Sequence, residues 1–168
     1  LHTGLRNLGH DSAMYVNTKR SYDPNVVKML PTFALATRVR RTLRRRQIGR
    51  AHAHYSKTRQ VYEFFSDDRS PWSHDMLQQL PSSDILNLHW VANFIDYQSF
   101  FAAIPKTLPM VWTFHDLNAM TGGCHFTGGC DRFIKGCGHC PQLGSASLRD
   151  LSAQIWERKN QLFQTLSS

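Results

Sequence analysis

Residues 84–91 read DILNLHWV and residues 110–116 read MVWTFHD, and these two stretches decide the fold. Each is a short, mostly apolar run, which is typical of a strand buried inside a sheet. Between them, Ile95 to Ile104 has a helical pattern, and Pro105 and Pro109 bracket the turn before the second run. A strand, a helix and a second strand in this order predict a parallel pair with a right-handed crossover.

The rest of the chain continues this alternation of strands and helices. The predicted strands outside the central unit are Ser12–Val16 and Val61–Phe65, and the predicted helices before it are Leu1–Leu8, Pro31–Arg50 and His74–Leu80. Downstream, a Gly/Cys-rich loop over 117–146 leads into a last helix. That helix has a capping-type start at Ser147–Asp150 and an apolar stripe formed by Leu151, Ile155, Leu162 and Leu166. The predicted fold class is therefore α/β with a parallel sheet.

Length and composition limit the class of protein. The chain has 168 residues, of which 41% are hydrophobic and 19% charged, values typical of a globular domain. No apolar run approaches the ~18 residues that a membrane-spanning helix needs. We therefore expect residues 1–168 to form a single soluble domain.

Positive charge is concentrated in one part of the chain. The formal net charge is +8, and no acidic residue occurs between Asp23 and Glu63, where ten basic residues lie. Within the basic segment 38–59, arginines surround an apolar stripe that starts upstream and consists of Leu35, Val39 and Leu43. This pattern predicts a basic amphipathic helix. Such a helix fits an anionic partner (phospholipid, nucleic acid or a phosphorylated substrate) or a solvated helix face.

Functional side chains follow both strands of the central unit. His89 comes at the end of the first strand, and His115 and Asp116 come at the end of the second. Ligands of open parallel sheets bind beyond the carboxyl ends of the strands. A His-Asp pair there can orient an imidazole or hold a hydroxyl. The alternative is a helix-capping Asp beside a packed His.

The four cysteines lie within one short loop. Cys124, Cys130, Cys137 and Cys140 have the spacing C-x5-C-x6-C-x2-C, and glycines surround them. Clustered thiols in a glycine-rich loop are typical of a structural Zn²⁺ site, in which His125 or His139 could replace one thiol. Two local disulfides and four reduced thiols are the alternatives.

One long motif run resembles a known family. It comprises PMVWTFHD at 109–116, TGGCHFTGGCDRF at 121–133 and GCGHCPQL at 136–143, with DLS at 150–152. Together with DILNLHWV and with residues 5–16, this run is similar to the N-terminal half of family 4 glycosyltransferases. The resemblance is strongest to bacterial enzymes of capsule, exopolysaccharide or colanic-acid-type synthesis.

The resemblance implies a GT-B architecture, with two Rossmann-like domains and the active site between them. The N-terminal domain, to which this chain corresponds, has helices on both faces of its sheet and receives a saccharide or lipid-linked acceptor. The C-terminal domain binds the nucleotide-sugar donor. Such enzymes are typically retaining and need no metal ion for catalysis, so that a zinc ion at the loop 121–143 would be structural.

The resemblance also assigns roles to individual residues. His115 corresponds to a histidine that faces the donor sugar, and we expect it to hydrogen-bond the transferring sugar and stabilise oxocarbenium-like charge, oriented by Asp116. Further substrate contacts are expected from His89, Trp90, Thr121, Gly122 and Gly123.

Two parts of the family pattern lie outside this sequence. The first strand with its glycine-rich loop is expected before Leu1, and the donor domain with its paired glutamates after Ser168. We therefore expect the chain to be part of a glycosyltransferase that is inactive alone.

Membrane-associated members of the superfamily dock through a cationic helix. By resemblance, Arg38, Arg41, Arg44, Arg45 and Arg46 are expected to face an anionic lipid surface, which predicts a cytoplasmic protein peripheral on the inner face of the plasma membrane. The alternative function is a zinc-containing nucleic-acid-binding module. Nucleic acid is the less favoured partner, because the cysteine loop is nearly neutral and lies far from the arginines, and because the sequence lacks the interleaved aromatic and basic residues of single-strand binders.

Overall fold

A computed structural model describes residues 1–30, 34–60, 63–72 and 78–166. The helices are α1 (His2–Asn7), α2 (Leu35–Ala53), α3 (Tyr97–Ala103) and α4 (Leu151–Leu166). The strands are β1 (Met14–Val16), β2 (Val26–Lys28), β3 (Leu86–His89) and β4 (Met110–Thr113). Two 3-10 turns, Arg132–Ile134 and Pro141–Leu143, lie in the cysteine loop.

The strands form two small parallel sheets. β1 pairs with β2, and β3 pairs with β4 in a register that places Leu88 opposite Trp112 and His89 opposite Thr113. The predicted α/β class and the parallel pairing of the two central strands are confirmed. Strand β2 was not predicted, because its three residues, Val26–Lys28, are too few to show a strand pattern.

Three predicted elements fall partly outside the described residues. Of the predicted helices, Pro31–Arg50 has residues 31–33 outside them and His74–Leu80 has residues 74–77 outside them. Of the predicted strand Val61–Phe65, residues 61–62 lie outside, and Phe65 makes an isolated antiparallel bridge with Cys124.

Two apolar clusters hold the central part of the fold together. Around β3 and α3, the buried residues are Leu88, Val91, Ile95, Tyr97, Phe100 and Phe101. Around the start of α4, they are Phe65, Cys140, Leu143, Leu151 and Ile155. Helix α4 contributes to both clusters, since Leu162 and Phe163 pack against the first. It therefore joins the cysteine loop to the β3–β4 sheet.

The cap of α4 differs from the predicted one. Asp150, which is buried, accepts a hydrogen bond from the Ala153 backbone N–H and another from the Cys140 backbone N–H. Ser147 instead accepts from the Arg149 backbone N–H in a local turn. Asp150 therefore begins the helix and also ties it to the cysteine loop.

Helix α2 turns its apolar stripe away from the fold. Leu35, Val39 and Leu43 are 74%, 52% and 59% exposed. Arg44 instead faces the fold and pairs with the buried Asp96 at 2.9 Å, and Arg41 lies over the Trp72 ring at 5.5 Å. The apolar stripe is therefore left on the outer surface.

Candidate active site at the ends of two parallel strands

The site begins with two histidines that the parallel register brings together. His89 ends β3 and His115 follows β4, and His89 Nδ1 lies 2.8 Å from His115 Nε2. Burial, and then the charge of His115, lower the pKa of His89. In this contact one ring nitrogen donates a hydrogen bond to the other, which leaves the second nitrogen of each ring to meet a ligand. This places two of the predicted site residues in direct contact.

Asp116 does not orient His115, contrary to the sequence-based expectation. Its Oδ2 lies 2.6 Å from His125 Nδ1, and its Oδ1 accepts a hydrogen bond from the Asn118 backbone N–H. The chain bends at His115 and Asp116, so these neighbours in sequence need not share a contact. The partner of His115 is His89.

His125 links Asp116 to a buried serine. His125 Nε2 lies 2.9 Å from Ser66 Oγ, which also accepts a hydrogen bond from the Asn93 side-chain amide. Ser66 is 3% exposed and His125 is 6% exposed. This Ser-His-Asp arrangement is therefore closed to a substrate, and it positions the Asp116 carboxylate. With both ring nitrogens engaged, His125 is also not a free metal ligand.

A pocket open to solvent lies beyond the two strand ends. We call it the strand-end pocket. Its walls include Trp90, Trp112, His115, Asp116 and Asn118. An aromatic wall beside a few polar side chains is the usual composition of a small-molecule site. The pocket gathers three residues that the sequence analysis singled out, namely Trp90, His115 and Asp116.

The glycine motif does not line this pocket. Thr121 is 2% exposed and donates its hydroxyl hydrogen bond to the Cys124 carbonyl. A Cβ at Gly122 would lie 2.1 Å from the Ser152 carbonyl oxygen, and one at Gly123 would lie 2.7 Å from the Phe65 ring. These contacts are those of close packing inside the fold, and the substrate role of the three residues stays a prediction.

A buried lysine supports the loop that follows β4. The Lys159 ammonium donates to the carbonyls of Asn118 and Thr121 and lies 5.3 Å from the centre of the Tyr97 ring. Burial lowers the pKa of Lys159 to about 8. Lys159 was not predicted to have a role. A lysine four residues after Ile155, on the apolar stripe of α4, is the sequence feature that indicates a buried charge.

The four cysteines are free and line a second cleft together with Thr121 and Ser152. A hydrogen bond from the Cys124 thiol lowers the pKa of Cys140 to about 7 and raises that of Cys124. The Gly122 backbone N–H donates to Cys137 Sγ at 3.2 Å. In the described ranges, no three His, Cys, Asp or Glu side chains are arranged to hold a metal ion.

The five arginines of α2 that were predicted to face a membrane divide into two groups. Arg41 and Arg44 face the fold through the contacts already described. Arg38, Arg45 and Arg46 are exposed on the outer surface. In the part of the chain that the structure describes, no helix is long and apolar enough to cross a bilayer.

Comparison with known proteins gives one relative. Over 59 residues the chain is 39% identical to a provisionally named colanic acid biosynthesis glycosyl transferase, WcaC, of Escherichia coli (strain K12). The aligned segment is 34% of this chain and only 15% of that protein. No family model matches the sequence, and no solved structure matches it. The comparison supports a relationship to glycosyltransferases, which are transferases, over this segment.

Proposed function

We propose that this chain is the acceptor-side part of a family 4, GT-B-type glycosyltransferase. The complete enzyme would move a sugar from a nucleotide-sugar donor to a saccharide or lipid-linked acceptor in cell-surface polysaccharide synthesis. The observation that carries the proposal is the strand-end pocket with its His89–His115 pair, in a chain related to a glycosyl transferase. Parallel sheets bind their ligands at this edge.

The strand pairing supports the proposed architecture. In a Rossmann-like sheet of order 3-2-1-4-5, strand 1 lies between strands 2 and 4. In the proposed fold, the pairs β1–β2 and β3–β4 would be strands 2–3 and 4–5 of that order, and one further strand between β1 and β3 would join them into a continuous sheet.

The proposed mechanism gives the two histidines different tasks. His115 hydrogen-bonds the transferring sugar and stabilises the positive charge that develops on it. His89 holds the His115 ring through the 2.8 Å contact. In the proposed enzyme, a separate domain binds the nucleotide-sugar donor. The proposed reaction retains configuration and requires no metal ion.

Sugar transfer by the full-length protein tests this function. The protein is incubated with a panel of nucleotide sugars and with saccharide or lipid-linked acceptors extracted from the producing cell. The expected result is an acceptor whose mass increases by one glycosyl residue. Failure to glycosylate any acceptor in the presence of every donor would count against the proposal.

We also propose that α2 docks the enzyme on the anionic inner face of the cytoplasmic membrane. The outer surface of this helix combines exposed Leu35, Val39 and Leu43 with exposed Arg38, Arg45 and Arg46. An interfacial helix buries its apolar side chains at the headgroup boundary while its cations pair with anionic lipid. Each basic residue near such a surface contributes about 1 kcal/mol.

A charge-matched pair of variants tests the docking of α2. Replacing Arg38, Arg45 and Arg46 by Gln is expected to weaken binding to phosphatidylglycerol-containing vesicles about a hundredfold, from about 1 kcal/mol per residue. The control variant replaces three exposed cations outside α2, Arg20, Lys106 and Lys135, by Gln. Co-sedimentation measures both. Equal loss in the two variants, or equal binding to purely phosphatidylcholine vesicles, would show that α2 is not the docking surface.

The cysteine loop is proposed to hold a structural zinc ion. Its four thiols line one cleft, and backbone N–H groups already point at two of the sulfurs, as they do where thiolates are stabilised. Binding would require the sulfurs to close together around the ion. Catalysis would not use this ion.

Metal analysis of the purified chain tests the zinc site. About one zinc per chain is expected, and its removal by a chelator is expected to lower the thermal midpoint, because metal-binding free energy contributes to folding. Cobalt substitution would report thiolate ligands by absorption. A metal-free protein with four titratable thiols, or one with two disulfides, would rule the zinc site out.

A further inference from the structure

Trp90 is an exposed aromatic residue held in a strained backbone conformation. Its side chain is 56% exposed, and its φ is +30°. Positive φ is a genuine outlier for a bulky residue, and such strain persists where the surrounding structure over-determines it, often at ligand sites. The residue directly follows β3, so its strain sits at the edge where the strand-end pocket opens.

Two neighbouring rings lie against the Trp90 ring. The Phe64 ring lies 6.2 Å from it in an edge-on arrangement, and the His125 ring lies 5.7 Å away. Asp116 and Ser66 anchor His125 through both of its nitrogens. Phe64 is itself 64% exposed. The result is a supported aromatic surface, which we call the Trp90–Phe64 platform.

Polar groups border this platform. Trp90, His115 and Asp116 share the wall of the strand-end pocket, and His115 is joined to His89. Among the described residues lining the pocket, none is Lys or Arg, and the Asp116 carboxylate is present. A phosphate or nucleotide would meet a carboxylate here without a compensating cation, which disfavours an anionic ligand.

We propose that the Trp90–Phe64 platform binds a neutral pyranose ring of the acceptor saccharide. A pyranose offers an apolar C–H face, which packs on an aromatic ring, and an edge of hydroxyls, which suits the Asp116 carboxylate. The inference rests on the proposed function and adds to it the recognition element for the acceptor.

Saturation-transfer NMR tests the platform on the 168-residue chain. The probes are the methyl pyranosides of glucose, galactose and mannose, with uridine monophosphate as an anionic comparison. At least one pyranoside is expected to receive saturation at its ring C–H protons, and uridine monophosphate is expected to receive less. Trp90→Ala is expected to weaken pyranoside binding about five- to tenfold, as for loss of one aromatic contact.

Two further variants separate the platform from general damage to the fold. Trp90→Phe keeps an aromatic face and is expected to retain most of the binding, and Tyr22→Ala, which removes a fully exposed ring next to β2, is expected to retain all of it. No saturation of any pyranoside, unchanged binding in Trp90→Ala, or stronger binding of uridine monophosphate would overturn the platform.

Sugar transfer by the full-length enzyme separates a failure of the platform from a failure of the proposed function. If the full-length enzyme transfers sugar and Trp90→Ala leaves the acceptor KM unchanged, the platform is wrong and the transferase stands. If the chain binds pyranosides through Trp90 but the full-length protein transfers none, the platform stands and the proposed function fails.

Discussion

Gly122→Ala is expected to lower the free energy of unfolding by about 3 kcal/mol, the upper part of the range for overpacking. The added Cβ would lie 2.1 Å from the Ser152 carbonyl oxygen and 2.9 Å from the Cys137 Cβ. Ser152 lies in the first turn of α4, so the helix would have to move away from the cysteine loop. Urea denaturation measures the change.

Gly49→Ala provides the matched control for this substitution. Gly49 lies inside α2, and a Cβ there would meet nothing within 4 Å. The same methyl group is expected to stabilise the protein by up to about 1 kcal/mol, because Ala favours a helix over Gly. If both variants unfolded at the wild-type urea midpoint, the described packing of α4 on Gly122 would be wrong.

His115→Ala is expected to reduce kcat of the full-length enzyme about a hundredfold or more, as for loss of one group that stabilises transition-state charge. The acceptor KM is expected to change little, because the loss falls on the transition state. His89→Ala removes the partner of the His115 ring and is expected to reduce kcat less, about tenfold. Steady-state kinetics of sugar transfer measure both variants.

A distant histidine serves as the control for these kinetics. His10 is exposed in the loop after α1, and His10→Ala is expected to keep wild-type kinetics. If His115→Ala also retained wild-type turnover, the role proposed for the His89–His115 pair would have to be abandoned.

The central unit could be predicted from the sequence because its signals are local. The apolar runs of β3 and β4, the helix between them and the polar residues at both strand ends all appear within residues 84–116. Parallel pairing then brings His89 and His115 together, since their strands end at the same edge. Neither histidine depends on the path of a long loop.

The contacts made by Asp116 could not be predicted in the same way. His125 reaches Asp116 across a turn that contains Gly123 at φ +124°, a conformation open mainly to glycine. An irregular turn of this kind leaves no periodic pattern in the sequence. His125 was therefore considered only as a metal ligand, and its link between Asp116 and Ser66 emerged from the structure alone.

The face of α2 that packs on the fold could also not be predicted from its sequence pattern. A hydrophobic stripe normally predicts the face that packs on the core. Here the buried Asp96 carboxylate, over fifty residues away in sequence, attracts Arg44 and turns an arginine face inward. A buried carboxylate is costly without a compensating positive charge, and Arg44 supplies that charge.

The most direct test of the central claim is the ratio of nucleoside diphosphate released to acceptor glycosylated by the full-length protein. We expect one nucleoside diphosphate for each glycosylated acceptor, and we expect His115→Ala to lose both products. Nucleoside diphosphate release without a glycosylated acceptor would instead indicate a hydrolase. The absence of both products with every donor would contradict the assignment as a glycosyltransferase.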